Sequence, residues 1–377
     1  MLLVKKGFTI VELLVVIVVI GIIAAITIVA YGGIAKKAKI ATIQSDIDNS
    51  GRLVKMFQVE NGTYPGSVTD CPTPAVGNMC LKSSPGNSYS YWVDNSGTGM
   101  FRLTSTDSNG LNISTNESGL KCPVNFIVVP GSATYNTSDF CVMKYEAKQD
   151  SGSIPISQPS GSPWVSITQT NAITYSTKVD GCDSCHLIKE KEWLTIAQNI
   201  MSVASNWSSG TIGSGYLYTG HNDGTPANSL DSSNDDTNGY YGTGGASGQQ
   251  KRTLKLSNGE VIWDFAGNVW EWTSGQITGG QPGIIGGGYA WREWGALTTH
   301  GTLNPDPYPS TTGITGAGTW TSTNGIGVIY SDAENGVLHG MVRGGSWIDW
   351  THAGPLALDI NQWPSWSGPA FGFRVAR

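Results

Sequence analysis

From Leu13 to Ala35 the chain runs for twenty-three consecutive residues without a charge. That is enough to cross a bilayer as a helix. The run follows MLLVKKGFTIVE, which places Lys5, Lys6, Gly7 and Phe8 before it and a single acid, Glu12, one helical turn into the segment. A carboxylate at membrane depth is costly and marks a partner or a function. A plain anchor and a secretory signal peptide satisfy the same length test. A cleavable signal, however, carries its small-residue site after the apolar run, whereas the Gly7–Phe8 step precedes it.

KKG followed by FTIVELLVV resembles the class III leader of type IV pilins and pseudopilins. The resemblance implies that residues 1–7 are a prepilin leader, cut by a prepilin peptidase between Gly7 and Phe8, with methylation of the new Phe8 amine. It also implies filament assembly through Phe8 and Glu12, the Glu12 carboxylate pairing with the Phe8 amine of a neighbouring pilin subunit, like or unlike. Such charge-assisted pairing offsets much of the cost of burying either ion. The implied location is the cytoplasmic membrane before assembly and an extracellular surface filament afterwards. Lys5 and Lys6 are balanced by Lys36, Lys37 and Lys39 beyond the span, so orientation rests on the resemblance and not on charge bias.

Beyond the span, Ile40, Ile43, Ile47, Val54 and Phe57 keep helical spacing. We expect a pilin-type helix over residues 8–60, roughly 75 Å long from Phe8 to about Phe57. Gly32, Gly33 and Gly51 are its weak points, and Gly62 and Pro65 end it. Residues 61–121 contain short runs such as SYSYWVD and MFRLTST between Gly, Asn and Asp turns, the pattern of a small antiparallel sheet. Pilin subunits pack such a sheet on the helix.

Charged residues make up only 13% of the 377 residues, while Gly numbers 50. This is the composition of a loop-rich surface protein, too long for one ordinary domain. Net charge is −6, and no Lys/Arg stripe follows the helix, which argues against a nucleic-acid groove. Six cysteines in a chain with an export-type N-terminus favour disulfides, although fifteen connectivities are open. Sequence neighbours suggest Cys71–Cys80, Cys122–Cys141 and Cys182–Cys185. Zinc binding and redox chemistry are the rivals for the CDSC pair, but no second CxxC and no βαβ pattern accompanies it.

From Cys122 the style changes to Gly, Ser, Thr and Asn punctuated by aromatics. One amphipathic helix is expected in LIKEKEWLTIAQNIMSVA, with Leu187, Trp193, Leu194, Ala197 and Ile200 on one face. Four blocks carry the identification: FCVMKYEA (140–147), EVIWDFAGNVWEWTSG (260–275), GIGVIYSD (325–332) and VRGGSW…GFRVAR (342–377). Together they resemble the formylglycine-generating enzyme, or sulfatase-modifying factor, family, a branch of the C-type-lectin-like fold. The implied fold class is α+β: a long pilin helix with a small antiparallel sheet, then a loop-rich C-type-lectin-like domain over residues 122–377. Trp263, Trp270 and Trp272 read as core in any function. In some members the GNxWEW segment contributes to a calcium site; carried over, Asn268 and Glu271 supply side-chain oxygens and Val269 a carbonyl. Calcium takes six to eight oxygens, and these are three. The acidic loop DSSNDD (231–236) suits a cation in composition but matches no ligand spacing. No cofactor is required, and asparagine and glutamate could equally accept backbone hydrogen bonds.

The family's oxidase activity depends on a cysteine pair between RGGSW and GFR. The last cysteine here is Cys185, so that chemistry has no thiol. The histidines at 186, 221, 300, 339 and 352 form no HExxH, and GTGGASG (242–248) follows no strand–helix pattern. We read the chain as no enzyme, with a membrane-tethered oxidase the weakest reading.

The segment WIDWTHAGPLALDINQWPSW (347–366) holds four tryptophans on neither a helical nor a strand period. Its bracket, RGGSW to GFR, resembles the variable proteins of diversity-generating retroelements, in which framework residues hold a lectin-like domain while designated positions change. The resemblance implies a framework of Arg343, Gly344, Gly345, Ser346, Trp347, Ala353, Gly354, Ala357, Leu358, Pro364, Ser365, Gly372, Phe373 and Arg374, with Trp347 buried. The variable segment is 348–371, and its ligand-binding positions are Ile348, Asp349, Trp350, Thr351, His352, Pro355, Leu356, Asp359, Asn361, Gln362, Trp363, Trp366, Ser367, Gly368, Pro369 and Ala370. Trp291 and Trp294 of GYAWREW flank the same face. Exposed, Trp350, Trp363 and Trp366 would give contact area at low entropic cost; the bland reading makes them core. The leading function is a pilus-displayed binder of a protein or glycan on another cell, and the alternative is a purely structural pilin with a non-binding head.

Overall fold

The computed structural model describes residues 10–94, 99–150, 152–278, 290–296, 303, 320–331 and 336–377. Gly7, Phe8 and Asp332 lie outside the described residues. Helix α1 (Ile10–Asn61) is 52 residues long, about 78 Å. It passes Gly32, Gly33 and Gly51 unbroken and stops at Gly62, whose φ of +78° suits glycine alone. Gly51, expected as a weak point, is instead a packing contact, since a Cβ there would sit 3.3 Å from the Thr115 methyl group.

The two halves of α1 face different surroundings. Apart from Glu12 and the terminal Thr27, Ile10–Thr27 is apolar, and none of it is buried by the rest of the chain. Farther along, Ile43, Ile47 and Val54 are buried against Val68, Leu81, Phe101, Leu103 and Ile113. That core belongs to a three-stranded antiparallel sheet in the order β1 (Asn87–Val93), β2 (Phe101–Asp107), β3 (Asn112–Asn116). The Asp46 carboxylate fastens helix to sheet by accepting bonds from the Ser84 amide and hydroxyl and from the Asn87 carboxamide.

The head follows with β4 (Phe126–Val129), β5 (Phe140–Met143), β6 (Lys148–Asp150), β7 (Ile154–Ile156), α2 (Gln169–Ser176), β8 (His186–Leu187) and α3 (Glu190–Met201). After α3 come β9 (Thr253–Lys255), β10 (Val261–Trp263), β11 (Trp270–Thr278), β12 (Ala290–Arg292), β13 (Ile329–Ser331), β14 (Leu338–Gly344), β15 (Gly354–Gln362), β16 (Phe371–Phe373) and β17 (Val375–Ala376). A six-stranded sheet runs β12-β13-β15-β14-β11-β16, and a four-stranded one β4-β5-β17-β8. Helix α3 buries Trp193, Leu194, Ala197 and Ile200 as its spacing required. Leu187 is buried too, but in a second cluster with Trp270, Trp272 and Phe373, and it sits in β8 because α3 begins only at Glu190. Trp263, Trp270 and Trp272 are buried. The cysteines pair as Cys71–Cys80, Cys122–Cys141 and Cys182–Cys185.

A buried polar seam joins the small sheet to the head. Arg102 of β2 donates to the Asn258 carbonyl and to the Thr104 hydroxyl, and its guanidinium lies 3.4 Å from Glu260. Glu260 also accepts from Ser114 of β3. Removing one partner of a buried pair strands the other charge, which costs about 3–5 kcal/mol. Glu260→Ala is therefore expected to lower the unfolding free energy of the purified chain, read from urea denaturation, by an amount of that order. A change within ordinary surface scatter would show that the seam contributes little to stability.

Candidate functional site

Strand β15 is the centre of the site because its framework side is anchored and its two ends are not. Trp193 of α3 donates to the Pro355 carbonyl at 2.7 Å and stacks on Phe265. Arg343 of β14 is fully buried and donates to Glu190, whose other oxygen accepts from Thr273. On the opposite flank, Leu356 and Leu358 donate their amides to the carbonyls of Ile326 and Val328. Gly345 has φ of +88°, and a Cβ there would fall 2.7 Å from Ala353. Only glycine lets the turn before the segment close so tightly.

Register sets how far apart the two ends of β15 lie. Gly340 of β14 opposes Gln362, whereas Gly344 opposes Gly354. Four steps of β14, about 13 Å at the usual rise, thus accommodate eight steps of β15, the excess being taken up in bulges. The segment before β15 carries Ile348 and Trp350, and the segment after it carries Trp363 and Trp366. Their exposures are 56%, 63%, 59% and 49%.

Trp350 is held in a conformation that a bulky side chain rarely adopts, with φ of +50°. Asn222 supplies the constraint: its carbonyl accepts the Trp350 amide at 2.8 Å, and its carboxamide donates to the Trp350 carbonyl at 2.8 Å. Asn222 is itself buried and braced by Thr219. Strain of this kind, of order 1–3 kcal/mol, persists only where the surroundings over-determine it and concentrates at functional sites. Nothing local marked Asn222 in the sequence, since its partner lies 128 residues away.

Not every expected ligand-facing position is on this surface. Pro355, Leu356 and Asp359 are buried. Leu356 belongs to the main core, and Asp359 accepts from the Asn361 amide and the Gln362 carboxamide. Asp349 is half-buried, and its carboxylate is spent on the Ser346 amide and hydroxyl. These four act beneath the surface. Thr351, Ser367 and Pro369 are exposed, and His352, Asn361, Gln362, Gly368 and Ala370 are half-exposed. Trp347, expected to be buried, is half-exposed because it precedes the turn that leads out to Trp350. Trp291 joins the face by stacking on His352 at 4.4 Å, with Trp270 and Tyr330 as its other ring neighbours. Trp294 does not, being wholly buried. Asn361, Gln362, Trp363 and Trp366 line an open depression of about 320 Å³.

The GNVWEW residues are engaged by protein partners. Asn268 Oδ1 accepts the Leu230 amide, and its Nδ2 donates to Glu146 and to the Leu230 carbonyl. The Val269 amide donates to Glu146, and Glu271 takes a two-pronged bond from Arg374. Burial, together with the nearby charge of Asp264, holds the Glu146 carboxyl well above the usual range. Among the described residues no cluster of three or more His, Cys, Asp or Glu side chains is placed to hold a metal ion. In the DSSNDD loop, Asp236 instead binds Lys144 and the Trp263 indole.

Residues 86–377, well over half the chain, match the sulfatase-modifying factor enzyme 1-like domain. The chain belongs to that family. The match begins beside β1 rather than at Cys122 and so takes in the small sheet. Residues 3–28 match the prokaryotic N-terminal methylation motif. The type IV wide pilus major component PilA4 of Thermus thermophilus is 32% identical over 82 residues, which are 22% of this chain and 59% of that protein. This chain therefore spans less than two thirds of that relative's length. Among solved structures, the Major Tropism Determinant U1 variant overlaps 80% of this chain and 73% of its own at 14% identity, with a TM-score of 0.32. Treponema denticola variable protein 1 overlaps 78% of this chain and 99% of its own at 14% identity, with a TM-score of 0.29. Scores of that size transfer no residue roles.

Two outcomes test the geometry of this family member's outer turn. Asn222→Ala removes the carboxamide bonds to the Trp350 carbonyl and to Thr219 while keeping the backbone bond to the Trp350 amide, and is expected to cost about 1–3 kcal/mol, read as a fall in thermal midpoint with faster proteolysis at residues 347–352. Burial raises the Asp349 pKa above 3.8, partly offset by the Ser346 bonds, the His352 charge and the Trp270 bond. Its contribution is complete below the unfolded value near 3.8 and is lost as pH rises through the raised folded value. The stability of wild type relative to Asp349→Asn should therefore fall as pH rises across that window, and a flat difference would contradict the assignment.

Proposed function

We propose that this chain is a filament subunit that displays a ligand-binding surface, acting by recognition and not by catalysis. The methylation-motif match, Glu12 in the first turn of α1 and the uncovered apolar run Ile10–Thr27 fit anchoring in the cytoplasmic membrane and then a surface filament. In this reading a prepilin peptidase removes residues 1–7, and Glu12 pairs with the Phe8 amine of the next subunit, which other pilins could supply. Residues 122–377 form the binding head, with residues 61–121 as a pilin-like base.

The observation that carries the binding reading is the exposure of Ile348, Trp350, Trp363 and Trp366 around one anchored strand. Large apolar groups left uncovered together mark interaction sites, and tryptophan is prominent among residues that dominate binding energy. The segment's match to the framework-and-variable pattern supports diversification of the exposed positions, with the buried Pro355, Leu356 and Asp359 outside the contact set. All six cysteines are in disulfides before residue 186, so the family's thiol chemistry has no residue between RGGSW and GFR. Copies along a filament would add avidity.

Replacing Trp350, Trp363 and Trp366 by Ser should reduce adhesion of piliated cells at least about tenfold while filaments still form. Glu12→Val should abolish filaments and leave binding by the purified chain intact. Adhesion unchanged by the triple substitution would remove the display reading. Sequencing the 3′ end of the gene across one population should find substitutions confined to the exposed positions. An invariant segment would remove diversification.

A further inference from the structure

The surface around β15 contains two aromatic groups with different chemistry. Ile348 and Trp350 stand on a turn backed by Asn222 and the half-buried Asp349 carboxyl. Trp363 and Trp366 instead occupy the first and fourth positions of a β-turn through Pro364 and Ser365, closed by the Trp366 amide on the Trp363 carbonyl at 2.8 Å. Among the described residues neither of these two indoles stacks on another ring. The depression they share is completed by two carboxamides, Asn361 and Gln362, and among the described residues by no charged side chain.

The carboxamides are differently prepared. Asp359, buried beneath them, accepts the Asn361 backbone amide and one Gln362 amide hydrogen, each at 2.8 Å. That fixes the Gln362 side chain and leaves its carbonyl and second hydrogen available. Among the described residues the Asn361 carboxamide has no protein partner. A carboxamide offers donors and acceptors together, which is what a hydroxyl requires of a partner. An indole face carries the negative side of the ring quadrupole and a broad apolar area, which suits a ring presenting C–H bonds. A pyranose has both properties, apolar C–H faces and an edge of hydroxyls. At about 320 Å³ the depression is at the small end of ligand sites, which span roughly 300–1,000 Å³. Its four lining residues are far fewer than the roughly 20–30 residues a side that a stable protein interface uses.

We propose that Asn361, Gln362, Trp363 and Trp366 form a subsite for an uncharged saccharide, with Asp359 as the positioning residue that orients Gln362. The saccharide stacks on the tryptophans and exchanges hydroxyl hydrogen bonds with the carboxamides. The neutral lining excludes sulfated and uronic sugars as preferred ligands, because their charge would lose water without gaining a counter-charge. This deepens the display reading by naming the ligand class of one part of its surface, and it rests on that reading.

The test uses the full chain in a detergent without a sugar head group, titrated with defined neutral hexose and N-acetylhexosamine oligomers and with acidic oligosaccharides. Binding is read by calorimetry and indole fluorescence. The expected result is saturable binding of at least one neutral oligomer. Affinity should fall at least tenfold in Trp363→Ala and in Trp366→Ala and fall less in Asp359→Asn. Far-ultraviolet dichroism confirms that each variant is folded. Preference for acidic oligosaccharides, silence across the neutral set, or binding indifferent to both tryptophan substitutions overturns the proposal. Adhesion of piliated cells, measured in parallel, separates the two readings. Adhesion that depends on these tryptophans without any saccharide binding removes the sugar and keeps the display surface, with a protein ligand in its place.

Discussion

Arg374 is the contact on which the head depends. It is fully buried, three residues from the C-terminus, and donates to both Glu271 oxygens and to the carbonyls of Met143 and Trp263. One planar guanidinium thereby ties the final segment to β5, β10 and β11. A fixed fork of donors suits this role, which a lysine point charge would not fill. A buried ion pair of this kind contributes little net stability compared with apolar packing, yet losing one partner is severe. Its value lies in specifying arrangement: with Glu271 held, the GNVWEW strand has one register against β14 and β16. Glu146, Asn268 and Leu230 extend the same network outward to the loop that leads toward Asn222.

The exposed face around β15 is a consequence of that rigidity. Strand β15 is hydrogen-bonded on both flanks, so its buried residues, Leu356 and Leu358 among them, cannot adjust to a ligand. What can vary is whatever the two terminal turns push outward. A framework that takes eight steps of chain in the space of four strand positions creates this division. The extra residues of the larger bulge, Pro355, Leu356 and Ala357, are buried, so the side chains left outward are those of the two terminal turns. The tolerance of Trp350 at positive φ shows how firmly the neighbouring chain holds the outer turn.

The first half of α1 and the head answer to different solvents. Ile10–Thr27 buries nothing within the chain, while the second half of the same helix is the floor of the small sheet. Through the Arg102–Glu260 seam the sheet is bonded to the head, so the head is joined to the membrane-competent helix by packed structure and not by a linker. A ligand-bearing head on such a base would be presented at a defined position relative to a filament axis.

Local pattern was sufficient for the long helix, the buried face of α3, the three short-range disulfides and the family-bearing blocks, because periodicity, cysteine proximity and motifs are properties of neighbouring residues. It also singled out Trp350, Trp363 and Trp366 as tryptophans without a core period. The partners that decide what those residues do are distant: Asn222 lies 128 residues from Trp350, and Met143 lies 231 from Arg374. Burial of Leu356 and Asp359 was equally out of reach, since a bulged strand breaks the alternation from which facing is read. Likewise, Asn268 and Glu271 carry oxygens suited to a cation, and only the folded chain reveals that Leu230 and Arg374 take them first. Sequence determined which side chains were available; tertiary packing decided which of them were already satisfied and which were left for a ligand, because hydrogen-bond and contact capacity is spent between elements and not along the chain.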